Sequence, residues 1–446
     1  MPHATALVVG TIIGASVFVQ ASEITALVPT TGGVVLAWLL AGGLTLLGAL
    51  ICAELASAYP QTGGVYVFLR EIYSPALGFL WGWAMFWSMH SGIVAAIATV
   101  FARYAGTFVP LGDTGTRVVA VGAILALSAV NYVGTRAGSR VQAAITGVKV
   151  LAVALIIAAG WLLTPGGAPG AELAQGAPEG FGPRGLLLAV SAGLFAFGGW
   201  HMVTYTAEET VDAPRTIPRA LRLGIVIVTV CYIGLNAVYL RVLSVPEVIA
   251  STRVAADAFG RLVGEWGAVA ISGLVMVSAF GALNGIILLG PRVYYRMAQD
   301  GLLFRWAGVI HPRFQTPSRA IVLQALWSAA LAWTGTYRTL FTRVIYTEWI
   351  FFALLGVGIL LLKRRPGYHP AWPMPLVPIA PLTFAVAAAA IVVNQIAADP
   401  VESAIGLGLV VSGLPVYWWW SRKTWVTRDE SAATPDAAFD RPRPRS

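Results

Sequence analysis

Gly10-Thr11-Ile12-Ile13-Gly14-Ala15-Ser16 stands in the middle of the first apolar run, and Phe195-Ala196-Phe197-Gly198-Gly199-Trp200 stands in the middle of the sixth. Each is a small, glycine-containing patch inside a run long enough to cross a bilayer. A bilayer core takes roughly 20 apolar residues per helix. On that measure twelve runs qualify, at about 5–28, 33–57, 76–106, 117–134, 140–163, 185–208, 219–243, 264–296, 318–336, 340–362, 376–398 and 401–420. If runs 1–5 and 6–10 are two halves, the two patches occupy the same position, the first helix of each half. The first run has no basic leader and carries Glu23, which sets it apart from a signal peptide.

Interruptions at matching positions of two halves point to a transporter built from inverted repeats. The plain alternative is that Gly simply lets helices pack closely. A break has a specific physical use, because unwinding frees backbone groups that would otherwise pair along the helix. Free N–H groups begin the half-helix after Ala15 and Ser16 and suit an anion such as a carboxylate. Free C=O groups end the half-helix near Phe195, Ala196 and Phe197 and suit an ammonium. Two such ends facing each other match the charges of an α-amino acid without any charged side chain.

Composition agrees with a membrane protein. Of 446 residues, 57% are hydrophobic and only 11% charged, against roughly 25% charged in soluble proteins. That balance argues against a soluble enzyme, a disordered protein and a nucleic-acid binder. The 48 Gly and 16 Trp fit close helix packing and interfacial anchoring. Cys52 and Cys231 both lie in apolar runs, giving neither a disulfide framework nor a zinc pattern. With both termini inside, 20 of the 29 Lys and Arg fall in inner loops and the tail, and 7 in outer loops. The net charge of +9 is therefore a topology signal under the positive-inside rule rather than a sign of an anionic partner. The tail, 421–446, reads as disordered and cytoplasmic.

Five stretches in order resemble the amino acid–polyamine–organocation superfamily, on the branch near the L-type amino acid transporters. G-T-I-I-G-A-S-V-F at 10–18 resembles its broken first helix, and A-E-L-A-S-A-Y-P-Q-T-G-G-V-Y at 53–66 its second helix and re-entrant loop. G-L-F-A-F-G-G-W at 193–200 resembles the broken sixth helix, and E-E-T-V-D-A-P-R-T-I-P-R-A at 208–220 the inner loop after it. F-G-A-L-N-G at 280–285 with R-V-Y-Y-R-M-A-Q-D-G-L-L at 292–303 resembles the eighth helix and the next loop.

The resemblance implies an all-α integral membrane protein of twelve transmembrane helices. They would form a LeuT-type five-plus-five inverted repeat, with helices 1 and 6 broken and two helices added at the C-terminal end. One transporter domain would cover 1–420: repeat one about 5–163, repeat two about 185–362, extra helices about 376–420. Carried over by matched position, Ile12, Gly14, Ala15 and Ser16 would frame a carboxylate, and Phe195, Ala196 and Gly198 an ammonium. Phe195 would also be the outer gate, with Trp200 beside it. The expected location is the cell membrane, a bacterial inner membrane, with both termini cytoplasmic. The sequence also departs from the family. The usual Gly-Ser-Gly break is Gly14-Ala15-Ser16 here, so Ser16 adds a side chain where Gly left room. His201 stands where the mammalian branch often has Asn. The loop between spans 3 and 4 has no Cys, so no disulfide-linked heavy chain is expected. The chain begins almost at the first helix, where the family implies a short cytoplasmic leader.

Ionisable groups at membrane depth are site hypotheses by default. Lys149 lies about ten residues into the fifth run and should face the bundle. The resemblance places it near the ion site of sodium-coupled relatives, where its ammonium would bridge the first helix around Gly14 to the eighth. That implies a sodium-independent carrier, with Lys149 either a fixed structural cation or a titrating coupling group. His90 lies in the third run and His201 just past the sixth-run break. Each reads as a site residue or as a neutral His on a backbone carbonyl, and His201 is the better candidate for selectivity. Glu348 either closes an outer polar network or approaches the headgroups. Trp81, Trp83, Phe86 and Trp87 line a wall or simply pack. Glu208 and Glu209 suggest an inner ion-pair gate with Arg215, Arg219 and Arg222, and Asn284 a helix-packing hydrogen bond.

The leading function is thus a carrier of neutral, zwitterionic amino acids, working as an exchanger or a proton-linked permease. A permease for a related amine or polyamine, or a transport-dead amino-acid sensor, stays open. A membrane enzyme would need a nucleophile–base set or metal ligands, and neither pattern is present. No segment reads as a channel filter, no cofactor or metal is implied, and there is no ATP-binding loop.

Overall fold

The computed structural model describes residues 2–134, 138–164, 182–335 and 337–421, without the side chains of 2–3, 138–145, 209 and 337–345. The expected tail beyond 421 and Arg136 lie outside the described residues, as do the side chains of Glu209, Arg140, Arg338 and Arg343.

Hydrocarbon offers no partner for a backbone N–H or C=O, so a spanning segment pairs its own backbone. Accordingly, every regular element among the described residues is helical. In chain order these are α1 (Pro2–Ile12), α2 (Val17–Leu27), α3 (Thr31–Ala58), α4 (Val65–Ile72), α5 (Pro75–Ala84), α6 (His90–Ala105), α7 (Asp113–Val133), α8 (Gly138–Leu162) and α9 (Pro183–Ala196). Then follow α10 (Ala213–Val242), α11 (Val245–Ala250), α12 (Val254–Val263), α13 (Glu265–Leu289), α14 (Pro291–Gln299), α15 (Ser318–Thr334), α16 (Tyr337–Leu362), α17 (Ile379–Ala398) and α18 (Pro400–Val411). Each of the twelve apolar runs is helical over most of its length. Among the described residues, eight helices are long and apolar enough to cross a membrane, or nine with the bent α1–α2 pair counted as one. Two shorter apolar helices are Thr146–Leu162 and Tyr346–Leu362. The protein is a multi-pass membrane protein.

Local chemistry sets the ends. The Thr30 hydroxyl accepts from the Gly33 N–H to start α3, and Ser74 accepts from Leu77 to start α5, with Pro75 in its first turn. Two runs contain irregularities that periodicity did not announce. The third is continuous from Pro75 to Ala105 but widens into a π-helical turn at Met85–Met89, immediately before His90. The eighth changes from α13 to α14 at Gly290-Pro291, where proline has no N–H to continue the ladder.

The α1 segment sits at the centre, packed against α8, α10 and α13, while α2 packs against α9, α11 and α12. Large apolar side chains such as Leu155 and Val230 point outward from the bundle, as a lipid solvent requires. An apolar groove of about 340 Å³ runs between α7 and α15, lined by residues including Leu125, Tyr132 and Leu326.

Candidate functional site

The first break is a true gap. Between α1 and α2 the chain bends by 52°. Ile13 N–H donates to Val9 O (2.8 Å) and Gly14 N–H to Ile12 O (2.7 Å), which closes the end of α1. The N–H groups of Ala15 and Ser16 have no acceptor among the described residues, and both residues are buried. Ser16 precedes α2 without a side-chain capping bond. Two buried donors therefore stand free at the N-terminal end of α2, the arrangement that favours an anion. A Cβ on Gly14 would lie 3.1 Å from the Ala282 Cβ, so this glycine lets α13 approach the break.

The sixth-run break is different. The segment α9 stops at Ala196, residues 197–199 turn, and a 3₁₀ helix continues over Trp200–Glu209. Gly199 takes φ +93°, which L side chains rarely adopt. Its absent Cβ would meet Thr11 O at 3.5 Å, so the two breaks are neighbours. Gly198 N–H already donates to Phe195 O (2.9 Å).

One side chain joins the breaks. The Tyr232 hydroxyl, on α10, lies 2.9 Å from Ile12 O and 2.9 Å from Ala196 O. A phenol has one proton, so it serves one of these carbonyls at a time. The sequence reading missed Tyr232. No local signal set it apart, since the same span also carries Thr229, Asn236 and Tyr239.

Lys149 is buried, and its ammonium donates to Ile13 O at 3.3 Å. Ser278 on α13 donates to Ile13 O (3.4 Å) and Gly14 O (3.1 Å). The fifth and eighth runs thus meet on one carbonyl of the break, Ile13 O, beside Gly14.

His201 and Glu348 come together across 147 residues of sequence, with Nε2 to Oε1 at 3.8 Å and both side chains buried. The His201 ring meets Trp81, Trp200, Tyr205 and Phe352 at centroid distances of 5.1–5.8 Å. Glu348 therefore faces the bundle rather than the headgroups. Trp200 packs towards Gly48 of α3 and against Phe352 of α16, and Phe195 is buried beside the break. His90 is not in this cage; its Nε2 pairs with Ile286 O at 2.8 Å. The aromatic group of the third run divides. Trp81 joins the His201 cage, Trp83 donates to Leu409 O (2.9 Å), Phe86 meets Tyr294, and Trp87 meets Trp327. Asn284 accepts from Asn131 at 2.8 Å and joins α13 to α7, the packing role expected of it.

An ion-pair cluster is present, but differently composed among the described residues. Glu208 pairs with Arg296 at 3.6 Å, not with the arginines at 215, 219 and 222. Arg215 lies 3.9 Å from Asp212, and Arg222 lies over the Trp372 ring. Arg296 also meets Asp300 (3.3 Å), which accepts from Arg70 and from the Tyr66 hydroxyl (2.7 Å). Gln61 accepts from both arginines. This network ties α4 and α14 to the end of the 3₁₀ helix.

A family described as Amino acid permease matches residues 1–418. The chain belongs to this family. The resemblance drawn from the five motifs is thereby a membership. Among amino acid permease relatives, the Asc-type amino acid transporter 1 of Homo sapiens is 30% identical over 434 residues, covering 93% of this chain and 80% of that protein. The Serine/threonine exchanger SteT of Bacillus subtilis is 30% identical over 419 residues, covering 93% and 94%. The Large neutral amino acids transporter small subunit 2 of Homo sapiens is 30% identical over 434 residues, covering 94% and 80%.

Proposed function

We propose that the protein is a sodium-independent secondary transporter of neutral, zwitterionic amino acids. It would work by alternating access in a cell membrane, as an exchanger or a proton-linked permease. In this reading twelve helices form a five-plus-five inverted repeat with two further helices at the end. The amino acid lies between the breaks, its carboxylate on the N–H groups of Ala15 and Ser16 within the Ile12–Gly14 turn. Its ammonium lies near Phe195, Ala196 and Gly198, with Phe195 and Trp200 as gates and His201 beside the side chain. The observation that carries the reading is the pair of free, buried amide donors at the first break, set beside the carbonyl end of the second. Sodium independence is supported by Lys149, whose ammonium donates to the Ile13 carbonyl in the region where the resemblance places the ion of sodium-coupled relatives.

The test is uptake of a radiolabelled amino-acid mixture into sodium-free proteoliposomes, empty or amino-acid-loaded. Uptake into loaded vesicles alone identifies an exchanger. Uptake into empty vesicles under a proton gradient identifies a proton-linked permease. Absence of movement in every arm sinks the carrier reading.

A further inference from the structure

The His201–Glu348 pair has no counterpart in the two-break scheme, which needs no charged side chain at all. Its surroundings are apolar and aromatic. Trp81 of α5, Trp200 and Tyr205 of the 3₁₀ helix and Phe352 of α16 ring the imidazole. Both side chains are almost fully buried, at 1% and 6% exposure. The only ion-pair partner of Glu348 among the described residues is His201. The other titratable neighbours bring no fixed positive charge. Tyr205 is within electrostatic reach of Glu348, of Cys52 on α3 and of Tyr294 on α14, and His90 of α6 is within reach of His201. The packed face of α17 has no titratable residue. Arg70 and Glu71 of α4 are engaged with each other.

A carboxylate in such a place does not stay ionised without a cation, because burying an unpaired charge is far costlier than neutralising it. The pair therefore holds one proton whenever the cage is closed, either as neutral acid and imidazole or as carboxylate and imidazolium. Losing it leaves a bare anion among aromatic rings, so release requires water to reach the cage. His201 directly follows Trp200 at the broken sixth run, so any movement that opens that break also moves the cage.

We propose that His201 and Glu348 form a one-proton site whose proton crosses the membrane with the amino acid. The proton binds Oε1 of Glu348 or Nε2 of His201 from water on one face and returns to water on the other. One O–H or N–H bond forms and the same bond breaks, and nothing is oxidised or reduced. This deepens the carrier reading and rests on it, deciding for proton linkage over obligatory exchange.

The experiment uses the full chain in sodium-free proteoliposomes enclosing a pH-sensitive dye, with labelled serine, threonine and leucine as probes. Vesicles are either empty with acid outside, or loaded with the same amino acids at equal pH. The wild type should acidify the lumen when amino acid is added, and one pH unit should sustain about tenfold accumulation at one proton per substrate. Glu348→Gln should lose both the dye response and the gradient-driven accumulation. If it fails to fold, Glu348→Asp keeps the acid at a longer reach and should retain the dye response with a displaced pH profile. Wild-type exchange without any dye response overturns the proton site and leaves the carrier reading standing. A wild-type dye response in Glu348→Gln, or an undisplaced profile in Glu348→Asp, overturns the assignment to this pair. No transport in any arm, exchange included, overturns the carrier reading and the proposal with it.

Discussion

The two breaks face each other, yet they are made differently. The first is an open gap with a 52° bend, and its donors at Ala15 and Ser16 are unused. The second is a closed turn at Gly198-Gly199 that runs on as a 3₁₀ helix, and two of its carbonyls, Phe195 O and Ala196 O, already have internal donors beside them. Phe195 O is held by Gly198, and Ala196 O shares the Tyr232 phenol with Ile12 O. The donor end is thus ready for a ligand, whereas at the acceptor end a ligand would share carbonyls that already have internal donors. In the carrier reading the carboxylate is the resident contact. The ammonium is the contact that biases Tyr232, because a cation on Ala196 O leaves the single phenol proton to Ile12 O.

The largest expected effect separates the two glycines. At Gly199 the backbone itself is at stake: φ +93° costs a β-branched residue about 1–3 kcal/mol. Gly199→Val should abolish uptake and lower the thermal unfolding temperature. At Gly14 only space is at stake, with Ala282 at 3.1 Å. Gly14→Ala should keep measurable uptake, while Gly14→Val loses it. Equal behaviour of Gly14→Ala and Gly199→Ala in uptake and unfolding would erase the distinction between the breaks.

Next in size is Lys149→Met. It removes a charge-assisted bond to Ile13 O, worth about 1.5–3 kcal/mol. Uptake should fall at least tenfold without any sodium dependence appearing, and ligand-induced thermal stabilisation should weaken in parallel. Tyr232→Phe comes third. It costs folding about 0.5–1.5 kcal/mol but frees both carbonyls for the ligand. Apparent affinity should therefore tighten or hold while turnover drops, a split visible in concentration-dependent uptake. A loss of affinity with unchanged turnover would mean the phenol contacts the ligand instead.

The smallest effect lies away from both breaks and serves as a control. The Ser244 backbone N–H, its hydroxyl and Arg261 hold the Glu247 carboxyl down to about 2. Its stabilisation is present above the usual carboxylate range, about 4.3, and is lost as pH falls towards the folded value. Being exposed, it is worth within the about 0–1 kcal/mol typical of surface pairs. Glu247→Gln should lower the unfolding temperature slightly at neutral pH. That difference should shrink on acidification, with uptake unchanged throughout.

The apolar runs, the first break and the depth of Lys149 were legible because each is a local property of a short stretch of chain. Hydrophobic run length announces a span, and a glycine pair inside it announces an interruption. What stayed hidden was pairing across distance. Nothing near His201 points to Glu348, and nothing near Ile12 points to Tyr232. Glu208 was assigned arginines close in sequence, yet α10 carries Arg215 towards Asp212 and Arg222 over Trp372. Arg296, far along the chain, takes their place. The π-helical turn before His90 left no trace either, since a span apolar on nearly every face has little periodic pattern for an inserted residue to shift.

The network of Arg70, Asp300, Tyr66, Gln61, Arg296 and Glu208 has a thermodynamic consequence of its own. Its charged members are partly exposed, with Arg70 at 16%, Asp300 at 20% and Glu208 at 50%. Dissolved ions weaken contacts between such groups, with a screening length of about 8 Å at physiological strength. The aromatic cage and the helix breaks are beyond that influence. Salt on one face of the bilayer should therefore act as a bias on the resting conformation, loosening this seal and leaving the opposite face untouched. Asymmetric salt across a vesicle wall becomes a handle on direction: transport initiated from the two sides should respond unequally, and an equal response would mean that the seal does not limit the cycle.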